Sequence, residues 1–362
     1  AVLRKHTFFI LDAIMVKLLL ICLAAIVMIS CGSEQEKLTV YISDTCTDTL
    51  QHEIFLSEEE GLNIFYDLCV TDSFCAFLDA RNDTLLKIFT ATVPPAFAGL
   101  GMKGEGPDDF LFPFFEKSIG RGGKGKLSFI ELNSWNKKTV SIHSAASPGP
   151  VAVSVVEAQQ LPEMPVVRDY NETDSCVYGI DVDMQHGLFF IYDKHTARVK
   201  TVDYHRDIKS GYPEGHLSYL YESCLMVNQD AKATCTGLLN LNSLCFYDLK
   251  GNLMKEIVIG KELKYPDYDP EFLDFPNAPK YFISLCGTPN YLYALYNGFP
   301  GTSGKSKIMV FTWQGAPVAI YHTDVKLEKI AVDPSGRYVL GLNITEEGGS
   351  DVLKFDLPLN EV

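Results

Sequence analysis

Basic charge is what this chain has least of. It carries 31 Lys and Arg against 46 Asp and Glu, a formal charge of −15. Residues 1–30 hold Arg4, Lys5, Lys17 and Asp12, so the remainder stands at 28 basic against 45 acidic side chains. A surface this acidic offers no cationic stripe for a phosphate backbone, and nucleic acid is set aside as a partner. No apolar run approaches the roughly 20 residues that a bilayer-spanning helix needs. Cys-x-x-Cys and His-x-x-x-His pairs are missing, so no zinc site can be argued from spacing. The Gly-x-Ser-x-Gly elbow of serine hydrolases is also missing.

One glycine motif is present in letters only. Gly99-Leu100-Gly101-Met102-Lys103-Gly104 fits Gly-x-Gly-x-x-Gly, but Pro107 follows and no helical apolar stripe does. A dinucleotide site needs a helix to begin there, so that its first amides meet the pyrophosphate. The segment also lacks the Gly-Lys-Ser/Thr ending of a phosphate loop, and an inter-strand loop is the expectation. The ten cysteines include Cys22 and Cys31 near the N-terminus; the others are scattered, several inside apolar runs such as Cys245-Phe246-Tyr247. They read as small buried thiols. Cys69 and Cys75 are the nearest pair should one bridge form in an oxidising compartment.

What is present begins with a leader. Met15-Val16-Lys17 precedes a twelve-residue apolar stretch, Leu18–Ile29, the length of a secretory h-region. Met28-Ile29-Ser30-Cys31-Gly32 follows and resembles the bacterial lipobox, which implies a diacylated Cys31 at the mature N-terminus. Residues 1–14 read as an over-extended start, 15–30 as a lipoprotein signal peptide, and 31–36 as a short tether. Glu34 and Glu36 resemble the acidic signals that send some envelope lipoproteins to the cell surface. The expected address is the cell envelope, lipid-anchored, at the outer membrane.

From residue 37 to 362 the chain is a series of short apolar strands. Hydrophobic residues make up 47% and aromatic ones 12%, mostly Tyr and Phe, enough for a large β-rich core. Six runs end in a polar residue: Phe74–Asp79, Leu127–Glu131, Leu188–Asp193, Gly237–Asn240, Tyr291–Asn297 and Tyr338–Asn343. A second strand follows each, and the end points lie 46 to 62 residues apart. Tyr247–Asn252 and Phe311–Ala316 place Gly251 and Gly315 at the same offset, where a hairpin needs positive φ. In the third unit His205-Arg206-Asp207 is expected to play that part. Six such units imply an all-β, six-bladed β-propeller, with apolar runs outnumbering strict alternations because blades bury both faces. The last unit lacks an outer strand, and Lys37–Ser43 is expected to supply it, so that an N-terminal strand closes the ring.

Three segments carry a family resemblance. Gly104-Glu105-Gly106-Pro107-Asp108-Asp109-Phe110 is similar to the Gly-x-Gly-Pro-Gly-Glu-Phe segment of TolB-like six-bladed propeller lipoproteins, departing from it where Asp108 replaces a Gly. Val310–Pro317 and Ile330–Gly336 also resemble that family's last blades. The resemblance implies the same fold and an envelope location, without an activity.

The candidate ligand-face residues are the strand ends Asp79, Glu131, Asp193, Asn240, Asn297 and Asn343, expected on one face around the channel. Converging there, their oxygens could hold Ca²⁺, as in propeller lactonases. Alternatively each starts a tight turn by bonding its own backbone, and repetition in every blade favours that. No catalytic constellation stands out. The favoured function is a membrane-tethered binding module for a protein, peptide or glycan. The alternatives are a divalent-metal hydrolase or lactonase, and an accessory scaffold of an outer-membrane uptake complex. Two Asp-Thr-Leu triplets, Asp48–Leu50 and Asp83–Leu85, are similar to O-glycosylation sites on envelope proteins. Intact mass of the membrane-extracted protein checks both modifications. A chain beginning at Cys31 with a diacylglyceryl group is expected; an unmodified chain retaining the leader contradicts the anchor, and polypeptide plus lipid alone dismisses the glycans.

Overall fold

The computed structural model describes residues 38–57, 65–117, 119, 126–142, 151–181, 187–206, 212–267, 269, 271–272, 275–300, 304–345 and 348–358. The leader, Cys31, Glu34, Glu36, His143, His186 and Asp207 lie outside these residues. Among them are 27 strands and one short helix, α1 (Glu214–Leu220). The strands form six separate sheets, each built on four antiparallel strands, with a fifth strand added to three of them.

The inner strands, one per sheet, are β4 (Phe65–Val70), β8 (Pro113–Phe115), β13 (Val167–Glu172), β17 (Ser223–Asn228), β21 (Lys280–Gly287) and β25 (Lys329–Val332). Each contacts the next, and β25 contacts β4, so the six sheets close a ring as blades 1 to 6. Six apolar clusters fill the six blade interfaces. Every residue is buried in β5 (Phe74–Asp79), β17 and β18 (Ala233–Leu238). Two-sided burial is why these strands read as continuous apolar runs.

The turns confirm the repeat and correct its phase. Gly251 and Gly315 have φ of 78° and 71° in matching hairpins, where an L side chain would be strained. In blade 3 the left-handed position between the third and fourth strands, β15 (Phe189–Asp193) and β16 (Arg198–Val202), falls to Ala197, φ 54°, whereas His205 and Arg206 come after β16. The third unit was expected to align at Leu188–Asp193. The sheet order is β13, β14 (Cys176–Asp181), β15, β16, so that run is the third strand of its blade. The other five runs are second strands. Asp181 therefore holds the place expected for Asp193.

Closure is by an N-terminal strand, but a different one. β3 (His52–Leu56) pairs antiparallel with β27 (Ser350–Asp356) as the outer strand of blade 6. The expected closing strand, β1 (Thr39–Ile42), instead adds a fifth strand beside β20 (Leu253–Ile259) of blade 4. Between them β2 (Asp48–Leu50) lies parallel to β24 (Pro317–Thr323) of blade 5. The N-terminal segment thus covers the edges of three successive blades, which removes three rows of unpaired backbone groups. Phe55 and Leu56 carry the closure by packing into the interface of blades 6 and 1. Phe55→Ala is expected to cost about 3–5 kcal/mol. Ile54→Ala, on the same strand but 62% exposed, is expected to cost under about 0.5 kcal/mol. Urea unfolding of both variants checks this.

Candidate functional site: the mouth of the central channel

The ring is joined at its centre by polar groups. Asp67 Oδ2 on β4 accepts from Phe115 N on β8 at 3.2 Å. Lys117 N, just after β8, donates to Tyr170 O on β13 at 3.1 Å, and its ammonium pairs with Asp169. Asp169 Oδ2 accepts from Leu225 N on β17 at 3.2 Å, and Asn171 bridges to Leu225 and Val227. The Cys224 thiol shares its one proton between Gly237 O of its own sheet at 3.4 Å and Phe282 O on β21 at 3.7 Å, which makes this the weakest link. Ser284 Oγ accepts from Ile330 N on β25 at 3.3 Å. Lys329 Nζ returns to β4 through Tyr66 O at 3.0 Å and Asp67 Oδ1 at 2.9 Å. Together these contacts form a hoop crossing all six interfaces. The acceptors Asp67, Asp169 and Ser284 sit on blades 1, 3 and 5, near register shifts of the inner strands. A bulge re-aims a side chain out of the ladder, which lets it cap an amide of the next blade.

Below the hoop, where the inner strands end, lies a cavity of about 360 Å³. Its wall comes from five blades: Asp67–Ser73, Phe115–Lys117 and Ile119, Met226, Ser284–Pro289, and Lys329–Val332 with Pro334. Lys117 and Lys329 line its floor beside their carboxylate partners. Burial alone would lower the Lys117 pKa, but Asp169 and Asp67 outweigh it and hold the ammonium above its ordinary value. Burial likewise works against the Asp169 anion, and Lys117 and Lys329 outweigh it to lower that carboxyl. Burial, assisted by Asp67, pushes the Cys69 thiol up to about 12, and burial raises Cys286 too. Protonated thiols are poor nucleophiles near neutral pH.

None of the six strand-end candidates lines the cavity. Five lie at the opposite mouth, because the end of a second strand pairs with the start of an inner one, as Asp79 does with Phe65 and Glu131 with Pro113. Asp193, on a third strand, pairs with Cys176 at the other end of its blade. Each has partners within its own or the adjoining blade. Asp79 binds Arg81 N, Asn82 and Lys87 at 2.9–3.0 Å. Glu131 accepts from Leu111 N and Phe112 N at 2.9 and 2.6 Å. Asp193 caps His195 N and Thr196 N, which hold its carboxyl below the usual range. Asn240 bonds Tyr219 O and Lys280, Asn297 accepts from Ser306, and Asn343 donates to Lys326 O. These contacts serve turns and loops. The Gly104–Phe110 loop is also local: Gly106 N bonds Asp109 at 3.0 Å, and the departing residue Asp108 accepts from Val155 N at 2.7 Å. Gly99 and Gly101 lie within strand β7 (Phe97–Met102), with no helix following. The eight described cysteines are free.

A second polar cluster escaped the sequence reading. His205, Cys245 and Glu256 bring ligand-type atoms within 4.8 Å of one another. Glu256 is fully buried on β20 and accepts from Tyr204 and Ser243 at 2.8 Å, His205 at 3.2 Å and Arg206 at 2.5–3.1 Å. The permanent guanidinium charge stands where a cation would approach. The cluster ties the end of blade 3 to blade 4, and a lone Glu inside the apolar run Leu253–Ile259 was its only signal.

No protein-family model matches the chain, and no curated protein matches it. Solved structures do. A member of the duf4221 family from Bacteroides vulgatus is 11% identical, with 85% of this chain and 93% of that one covered, at a TM-score of 0.47. The WD40 domain of Toxoplasma gondii coronin is 10% identical over 86% of each chain at 0.46. A luciferin-regenerating enzyme is 9% identical over 85% and 96% at 0.46. The roles in those names belong to those proteins.

Burial raises the Glu256 pKa, but the hydrogen bonds from His205 and Arg206 outweigh it and leave the carboxyl well below its ordinary range. A group depressed in the folded state stabilises fully above its unfolded value, about 4.3, and loses that contribution as pH falls toward the folded value. Stability measured by urea unfolding is therefore expected to decline below about pH 5. Glu256→Gln is expected to be less stable at neutral pH and to show a shallower acid decline. An unchanged slope contradicts the assignment.

Proposed function

We propose that residues 31–362 form a lipid-anchored envelope protein that binds a partner at the channel mouth and does not turn it over. The observation that carries this reading is the cavity, walled by five blades and lined by buried thiols and by the paired acids Asp67 and Glu116, with Asp72 exposed at its edge. Small-ligand and side-chain seats in proteins run roughly 300–1,000 Å³ with apolar walls and few polar groups, and this cavity falls at the low end. The reading takes Cys31 as the lipid attachment, residues 1–30 as the removed leader, and the outer membrane, periplasmic or surface-facing, as the address. The resemblance to TolB-like propeller lipoproteins supports that address through the Gly104–Phe110, Val310–Pro317 and Ile330–Gly336 segments. The partner class is a protein, peptide or glycan.

Cross-linking capture from native membranes tests the seat. Ser73→Trp and Pro289→Trp, both exposed at the rim, are expected to abolish capture together, while Asn343→Ala at the opposite mouth leaves it intact. Capture that survives the rim variants overturns the seat, and co-purification with a membrane transporter would identify the complex as an uptake assembly. A thermal shift with Ca²⁺ and EDTA tests the hydrolase alternative, and no change in Tm is expected. A Ca²⁺-dependent rise removed by Asp79→Asn or Glu131→Gln would replace the binding reading with a metal-dependent one.

A further inference from the structure

The floor of the cavity has unequal hydrogen-bonding capacity, and the inequality specifies a ligand. Both oxygens of Asp67 are engaged, Oδ1 by Leu68 N and Lys329 and Oδ2 by Phe115 N. Both oxygens of Asp169 are engaged too, by Lys117 and Leu225 N. The donors are not exhausted. An ammonium has three protons. Lys117 directs one at Asp169, and Lys329 directs two at Asp67 and Tyr66 O. The Ser284 hydroxyl accepts from Ile330 N, which leaves its own proton to donate. The floor therefore keeps donor capacity from two cations and a hydroxyl. The wall above it has an apolar stretch, Ile119, Met226, Leu285, Ile330 and Val332 from four blades, beside polar groups that include Thr71, Glu116, Ser128 and Thr288.

We infer that this seat, resting on the binding reading above, takes a small apolar carboxylate. Its acid group would lie at Lys117, Lys329 and Ser284 and its hydrocarbon body against the wall. Two sources share that chemistry, a free carboxylic acid and the C-terminal residue of a protein chain. A protonated amine fits badly, because it would meet two ammonium groups whose counter-charges are already bound.

Isothermal titration of the mature chain with hydrocinnamate, its amide and the matching amine tests the inference. The acid is expected to bind saturably and about ten- to a hundredfold more tightly than the amide, as a charge-assisted contact should. The amine should bind least. Ser73→Trp with Pro289→Trp is expected to abolish binding, and Lys329→Met to bring the acid down to the level of the amide. Should Lys329→Met fail to fold, the acid-to-amide ratio of the wild-type chain still decides. An amide equal to the acid, a tighter amine, or no binding of any probe overturns the inference. Acetyl-glycyl-phenylalanine with a free or amidated C-terminus separates the sources. A free-acid peptide tighter than hydrocinnamate points to protein C-termini, and the reverse points to small acids. Partner capture that depends on the rim while acid and amide bind alike sinks this inference alone. Capture indifferent to the rim sinks the reading beneath it.

Discussion

A ring of blades has to be held at the centre, and here the holding is electrostatic as well as apolar. Around the channel, backbone groups of the inner strands face neighbours that belong to other sheets, so no ladder can pair them. Asp67, Asp169 and Ser284 reach across from alternate blades to cap those amides, and Lys117 and Lys329 return the charge. Buried polar groups are costly unless paired, so each link makes the placement of the next blade a condition of its own stability. The hoop fixes six sheets relative to one another, and it also sets the polar floor on which a ligand would rest.

The hoop is not equally supported around the ring. Among the described residues, the interface of blades 2 and 3 has the smallest apolar cluster, seven buried residues. Two ion pairs cross it, Lys117 with Asp169 and Lys137 with Glu172 at 2.5 Å, and Glu116 at 2.6 Å from Lys137 and Lys194 beside Glu172 extend them within each blade. The interface of blades 4 and 5 shows the opposite balance. Its apolar cluster holds eighteen buried residues, and its hoop link is only a thiol. Removing one partner of a buried pair leaves a charge without compensation, whereas apolar contacts fail gradually. Charge-altering substitutions should therefore be more damaging between blades 2 and 3 than between blades 4 and 5.

Much of this architecture was legible because repetition is a property of the chain itself. Apolar runs closed by Asp, Glu or Asn, and the paired offsets of Gly251 and Gly315, gave the blade count and the hairpins. The phase slipped in the third unit for a physical reason. Cys176–Asp181 and Phe189–Asp193 are neighbouring strands that both end in Asp, and the second is the more apolar, so local pattern chose the wrong one. Closure was misplaced similarly: Thr39–Ile42 and His52–Leu56 are both plausible strands, and which blade edge each meets is decided only in three dimensions. The channel site was not legible at all. Lys117 and Asp169 are 52 residues apart and meet only across a blade interface. The strand-end acids were conspicuous because turns repeat, while the hoop residues occupy bulges that no residue pattern announces.

The most direct test of the hoop is a double-mutant cycle at its Lys117–Asp169 ion pair, read by urea unfolding of Lys117→Met, Asp169→Leu and the pair. Each single change should cost about 3–5 kcal/mol by stranding a buried charge or an unpaired amide. The pair should cost at least about 1.5 kcal/mol less than their sum. Costs that add to within about 0.5 kcal/mol would show that the two residues act independently, and the hoop would not be what holds the ring.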